Sequence, residues 1–425
     1  MSEAAVLNWE PAAPGGPDWL EALRTEAWSR FRDLGLPQAT DEEWKQTNPA
    51  EIVRTGWLPA PPVGDAEAAP ALPPGLGGPR LVLAAGRVMP ALSDLDGLPG
   101  GARLASLAEL LADRPEAVRP HLGRIAPHGE RAFAALNTAR IEDGAVLIVP
   151  AGVALPVPVE IVHLAHPGSG PTATHPRTLV VLGARSQAVV VERFAGGGDG
   201  TGFTNAVAEA EVGEEGTLHH VRVLREGAGT RHVGLVWGHL GRNARAVSHS
   251  VVLGSPLARI DLGWVLDGEG AEARLDGLYL AGEGEHVDHH THLDHARPHC
   301  PSREVYKGIL SGSGKAVFHG RIVVRREAQR TDAKQANRNL LLSPEASVHT
   351  RPQLEIYADD VKCTHGATIG RLDPEQLFYL RARGIAEADA RRLLIRAFAG
   401  EVLDRIPVPA LREALDRAVA ERLHL

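Results

Sequence analysis

Two side chains near the carboxy terminus carry the chemistry that the rest of the chain must position. In residues 352–370, PQLEIYADDVKCTHGATIG, Cys363 and His365 stand two apart on a segment that alternates like a β-strand. Successive strand side chains face opposite sides, so the thiol and the imidazole share a face at roughly 6 to 7 Å between Cα atoms, with Lys362 and Thr364 opposite. A thiolate accepts sulfur and binds iron, and a neighbouring imidazole lowers its pKa or binds iron itself. Val361, Ala367 and Ile369 have the same parity, and a lone cysteine on an apolar face is more often a small buried hydrophobe. The residues alone leave both readings open.

A second cluster, His286, His289, His290, His292, His295, His299 and Cys300, invites a metal reading. On a strand, His286, Asp288, His290, His292 and Asp294 fall on one face and His289, Thr291 and His295 on the other, so the first set could line a site of the histidine and carboxylate type. The spacing is not that of a zinc site, and there is no H-E-x-x-H. Polar rungs on the outer face of a β core, with hydrogen-bonded or solvated histidines, are the reading adopted; a metal-dependent enzyme using residues 286–295 stays as an alternative. Cys300, between His299 and Pro301, reads as a loop residue. Asp359 and Asp360 read as a corner between strands rather than an acid-base pair, because the inward parity changes across them.

Other motifs are absent. Residues 311–316, SGSGKA, imitate a phosphate loop, but Ile309 occupies the first glycine position and Ala316 replaces the magnesium-binding Ser or Thr, so no ATP hydrolysis is expected. No complete G-x-G-x-x-G lies in residues 196–202 and no G-x-S-x-G supports a serine hydrolase. The 425 residues exceed what one core usually fills, and a net charge of −8 without long single-sign runs points to protein partners, not nucleic acid. Two cysteines are too few for a disulfide framework, no apolar stretch reaches membrane-spanning length, and MSEAAVLNWE has neither a basic nor an apolar leader segment. A reduced, cytoplasmic protein is expected.

Three regimes must position these residues. Leu20, Leu23, Ala27 and Phe31 recur at helical spacing within an amino-terminal helical region, 1–58. Residues 59–79 hold seven prolines and read as a linker without regular helix or central strand. A connecting mixed α/β segment, 80–140, leads into short aliphatic strands over 141–370, punctuated by glycine turns about every 14 residues. This is a repetitive all-β core, and periodicity does not separate a β-helix from a sandwich. After Gly370 the pattern turns helical, with Asp373 as N-cap, Pro374 at the first position, Gln376 completing a capping box and Gly384 as the stop. A following helix carries an apolar stripe of Leu393, Leu394, Ala397, Phe398 and Val402, suited to packing or to a partner.

The blocks TDAKQANRNLLLS (331–343), the Cys363 and His365 run, and LDPEQLFYLRARGI (372–385) together resemble the SufB/SufD family of the Suf iron-sulfur cluster assembly system, and within it the SufD type. DEEWKQT (41–47), VDHHTHLDH (287–295) and REVYKGIL (303–310) add to the likeness, with Gln46 where the family more often has an aromatic residue. The resemblance implies a mainly β fold, a right-handed parallel β-helix core flanked by amino- and carboxy-terminal helical regions. It implies a non-catalytic subunit that pairs with SufB near Cys363 and His365, where a nascent cluster or iron is held transiently, and that receives the SufC ATPase on residues 371–425. Family members carry Cys and His at these two matching positions. The SufB-like scaffold is the runner-up; SufB-type chains carry a sulfur-accepting cysteine in the segment matching residues 337–343, and NRNLLLS has none. A protein-held cluster normally needs four ligands, and two cysteines more than sixty positions apart cannot supply them. No tightly bound cofactor is therefore expected in the isolated chain, and a homodimer of the isolated chain remains open.

Overall fold

Short strands with an apolar residue at every second position bury one face only when another strand lies on it, and here each turn of chain lies on the turn before. The computed structural model describes residue 12 and residues 15–165, 170–196 and 200–423. The leading residues MSEAAVLNWE and the middle of the glycine turn expected at 196–200 lie outside the described residues.

Sixteen strands wind into a parallel β-helix of two sheets. The first sheet stacks β1 (Gly144–Val149), β3 (Arg177–Leu182), β5 (Gly202–Val212), β7 (Thr230–Leu240), β9 (Leu257–Leu266), β11 (His286–His295), β13 (Lys315–Val324) and β15 (Ser347–Ile356). The second stacks β2 (Val159–Ala165), β4 (Gln187–Gly196), β6 (Thr217–Arg225), β8 (Arg245–Val252), β10 (Glu272–Ala281), β12 (Pro301–Leu310), β14 (Asp332–Leu341) and β16 (Lys362–Gly370). Ala258, Val287 and Ala316 are register partners 29 residues apart, so the glycine spacing of about 14 is half a turn, one strand and its bend.

Alternate residues of both sheets face the lumen, where Val190, Leu218, Ala246, Ile260, Leu275 and Leu293 share one buried cluster. Aromatic rings fit there because glycines lie beside them. Tyr306 is the register partner of Gly277, and a Cβ at Gly277 would fall 2.2 Å from its ring; Tyr279 and Gly308 repeat the arrangement in reverse at 2.3 Å. Small aliphatic side chains fill the lumen only in part. Towards the carboxy-terminal end the lumen turns polar, with Ser250, His289, Glu304, Gln335, Asn337 and Asn339 all buried.

The outer faces are covered differently. Helix α1 (Asp18–Leu34) buries Leu20, Ala27 and Phe31, and with α2 (Ala132–Ala139) and Trp57 it packs against Phe203, Val233 and Leu257 of the first sheet. The buried pair Arg177 and Glu209 ties the connecting segment down, since the Glu209 carboxylate also accepts the backbone N–H groups of Gly123, Ile125 and Ala126 at 2.9 Å. The proline-rich run forms one helical turn, Asp65–Ala68, whose Ala68 is buried against Val82 and Val162, and Leu58–Pro59 pairs with Thr172 and Ala173. The helical turn continues as a short 3-10 turn, Ala69–Ala71, and proline keeps the stretch to these and an edge pairing, but it is packed rather than free.

On the second sheet lie α4 (Glu387–Leu403) and α5 (Pro409–Arg422), the latter not foreseen from the sequence. Ile395, Ala399, Val402, Leu411 and Leu415 close over Val221, Val251, Leu278 and Ile309. Along the chain between β16 and α4 comes α3 (Pro374–Arg381), which buries nothing. Its Asp373 cap accepts the N–H of Glu375 at 2.9 Å rather than that of Gln376, and Gly384 takes φ +84° after it.

Gly277→Ala should lower stability by ~1–3 kcal/mol through overlap with the Tyr306 ring. Urea unfolding measures this, and adding Tyr306→Leu to the same chain should recover part of the loss.

Candidate functional site

Strand β16 is the last rung of its sheet. Cys363 and His365 sit in register with Ala333 and Gln335, so they continue the lumen-facing column, as their parity requires. No further rung covers that column. Cys363 is half-buried against the core cluster, and burial pushes its thiol pKa up, while His365 is exposed. Ile369, on the same side, is 51% exposed. The apolar face read from parity is therefore an open end, because no later rung among the described residues covers it. The backbone N–H and C=O groups along the free side of β16 are those of an edge strand.

Around this end lie Ile356, Tyr357, Phe378 and Tyr379, all exposed large apolar side chains, the last two contributed by α3. Beside it, the outer surface of the second sheet forms a groove of about 410 Å3 lined by Arg303, Lys334, Arg338 and Thr364. Asp359 and Asp360 occupy the exposed bend between β15 and β16, a corner as read. Leu354 and Cys363, on either side of it, both pack on the core cluster.

The histidine-rich strand, β11, is placed differently from expectation. His289 and His295 face the lumen, 3.0 Å from the hydroxyls of Ser250 and Ser302. The other face is outward, yet Asp288, His290 and Asp294 are buried on it rather than solvated. Asp288 and His290 lie under the amino-terminal segment, and Asp294 is paired with Arg325, just past the end of β13. Thr47 Oγ1 donates to Asp288 Oδ2 at 2.6 Å and lies 2.8 Å from His286 Nε2. Arg259 Nη1 is 3.3 Å from Asp288, and its guanidinium stacks 4.1 Å above the Trp44 ring. DEEWKQT and VDHHTHLDH are thus two halves of one contact. Burial alone would raise the Asp288 pKa, but His290 and Arg259 outweigh it and hold the carboxyl well below its usual range.

Among the described residues no group of three or more His, Cys, Asp or Glu side chains is arranged to hold a metal ion. Cys300 lies in a buried bend with Sγ 3.3 Å from the Gly268 carbonyl, and burial raises its thiol to about 11. The 311–316 segment is a turn in which Glu283 takes the Ser313 amide and hydroxyl at 2.9 and 2.8 Å, so a carboxylate stands where a phosphate loop would hold an anion.

The five apolar residues of α4 do not share one surface. Val402 is fully buried on the solenoid, Phe398 and Leu394 are half-buried, Phe398 lies under Lys307 Nζ at 4.2 Å, and only Leu393 and Ala397 are exposed. The stripe turned to the sheet is Ala390, Ile395, Ala399, Val402 and Leu403. Helical spacing allowed two overlapping stripes, and packing against the sheet and α5 chose the other.

Residues 164–398 match the family described as SUF system FeS cluster assembly, SufBD core domain, and residues 74–161 match the SufBD protein N-terminal region. The chain belongs to the SufBD family. SufBD relatives include an iron-sulfur cluster assembly SufBD family protein of Synechocystis, 34% identical over 401 residues that cover 92% of this chain and 88% of the relative. The iron-sulfur cluster assembly protein SufD of Escherichia coli is 32% identical over 391 residues, 92% of this chain and 90% of its own. SufD of Bacillus subtilis is 26% identical over 302 residues, 69% and 67% of the two chains. The SufBD core match spans β16 and extends into α4, so Cys363, His365 and Leu393 all fall within it. No helix among the described residues is long and apolar enough to cross a membrane.

The buried imidazoles give a pH test of this packing. Burial lowers His249, His289 and His295 to about 4 each. Folded, they stay neutral where the unfolded chain would bind a proton, so their stabilisation is complete above pH 6.5 and is lost as pH falls towards 4. Each should cost about 2 kcal/mol between pH 7 and pH 5. Thermal unfolding across that range should show the midpoint falling with pH, and His289→Gln should flatten the slope by one histidine's share.

Proposed function

We propose that this chain is a non-catalytic subunit of a Suf assembly complex, pairing with a SufB-type subunit through the open end of its β-helix and helping to build a nascent iron-sulfur cluster there. The observation that carries the reading is the uncovered last rung, with a half-buried thiol and an exposed imidazole on the same face and apolar side chains around it. Iron and sulfide are cargo at this seam. Since the chain supplies one cysteine and one histidine at that end, and a cluster normally takes four ligands, the others come from the partner. The same edge would accept a second copy when the SufB-type subunit is missing, which accommodates a homodimer of the isolated chain.

A SufC-type ATPase docks on the carboxy-terminal helices in this reading. Its footprint is Leu393, Leu394 and Ala397, with the exposed edge of Phe398; Val402 supports the helix from beneath. ATP chemistry belongs to that partner, since the 311–316 turn has neither the glycine nor the hydroxyl that nucleotide binding requires.

Two variants test the two surfaces separately in chains co-expressed with SufB- and SufC-type partners. His365→Ala should leave both partners bound while lowering iron and sulfide in the purified complex about tenfold; unchanged content would refute the site. Leu393→Glu should release the ATPase but keep the SufB-type pairing. A point change is the sharper probe because deleting α4 would strip the apolar outer face of the second sheet. Retention of the ATPase would refute the docking map.

A further inference from the structure

Beneath His365 the lumen column continues as Gln335 and then Glu304, one residue per rung in direct register. Both lower residues are buried, Glu304 at 1% and Gln335 at 3% exposure. The Gln335 amide reaches across the lumen into room left by Gly320, where a Cβ would lie 2.2 Å from Gln335 Nε2. That nitrogen donates to Glu304 Oε2 at 2.7 Å. Its other end, Oε1, meets no hydrogen-bond partner among the described residues, nor does Glu304 Oε1. A buried amide oxygen without a donor is costly, and the rung above it presents an imidazole.

We propose that Gln335 is a positioning residue for His365: with its amide nitrogen held by Glu304, its buried carbonyl, which has no partner among the described residues, is the acceptor on which one imidazole N–H of His365 settles, leaving the other ring nitrogen free for iron. Nothing is transferred in this step; one hydrogen bond forms, and the neutral imidazole is held in a single tautomer. Iron-binding histidines are commonly fixed in this way by an acceptor on their second nitrogen. The iron part of the inference rests on the function proposed above; the hydrogen bond itself does not.

The orientation of the amide is set by Glu304, whose Oε2 accepts from Gln335 Nε2 at 2.7 Å and so directs the carbonyl away from itself.

The test reads His365 directly in the full chain labelled with 15N-histidine. Imidazole nitrogen shifts should show a single tautomer in the parent chain. Gln335→Leu should remove the tautomer preference. Glu304→Leu, which releases the amide nitrogen, should weaken it. In the complex with its SufB-type partner, Gln335→Leu should weaken iron loading about tenfold with both partners retained. Identical His365 shifts in the parent chain and both variants would overturn the inference. Normal iron loading in His365→Ala would instead overturn the functional reading and leave the hydrogen bond standing. A Gln335→Leu chain with reduced thermal stability but unchanged His365 shifts would assign Gln335 a packing role and sink the proposal.

Discussion

The outer side of a β-helix rung is covered by the rung that follows it, and among the described residues none follows β16. That single fact decides the character of the carboxy-terminal end. It leaves an edge strand with free backbone groups, it opens the lumen column at Cys363 and His365, and it exposes Ile369 where the same parity deeper in the stack would be sealed. The amino-terminal end is treated differently. Arg103–Ser106 adds to β1 and Arg80–Ala84 to β2, so both sheets are continued there by non-solenoid chain. The molecule is asymmetric by construction, with one end extended and the other open.

The polar lumen near the open end follows from the same constraint. Apolar side chains would stack there as readily as Val190 or Leu218 do deeper in the stack, yet Glu304, Gln335, Asn337 and Asn339 replace them. Burying such groups costs free energy unless hydrogen bonds compensate, and several here are compensated, as by Tyr279 with Asn339 at 2.5 Å and Gln335 with Glu304 at 2.7 Å. Polar side chains in the final turns are best explained by what they meet above the last rung.

Much of this was legible in the residues. Glycine spacing marked the half-turn, parity placed Cys363 beside His365, and the Asp373-Pro374 start with Gly384 bounded α3. What escaped was whatever depends on distant chain. Nothing local shows that Thr47 and Trp44 would close over Asp288 and Arg259, more than two hundred positions away, so the outward histidine face read as either hydrogen-bonded or solvated, and its burial was not visible. Nothing local shows that β16 is the last rung of its sheet, so the Cys363 face admitted both a buried and a chemical reading. For α4, spacing admitted the stripe through Leu393 and Phe398 as well as that through Ile395 and Ala399, and only the sheet beneath distinguishes them. A signal for the polar lumen was available: Gln335, Asn337 and Asn339 alternate with the same parity as Ala333, which is unusual for residues facing a core.

The central claim is that the open rung becomes a covered one in the working complex. Hydrogen exchange of the backbone amides of residues 362–370 tests it most directly, comparing the isolated chain at low concentration with the chain bound to its SufB-type partner. The account predicts fast exchange along the free side of β16 alone and strong protection in the complex, with α1 and the buried amides of β5 unchanged. Equal exchange of residues 362–370 in the two states would contradict it.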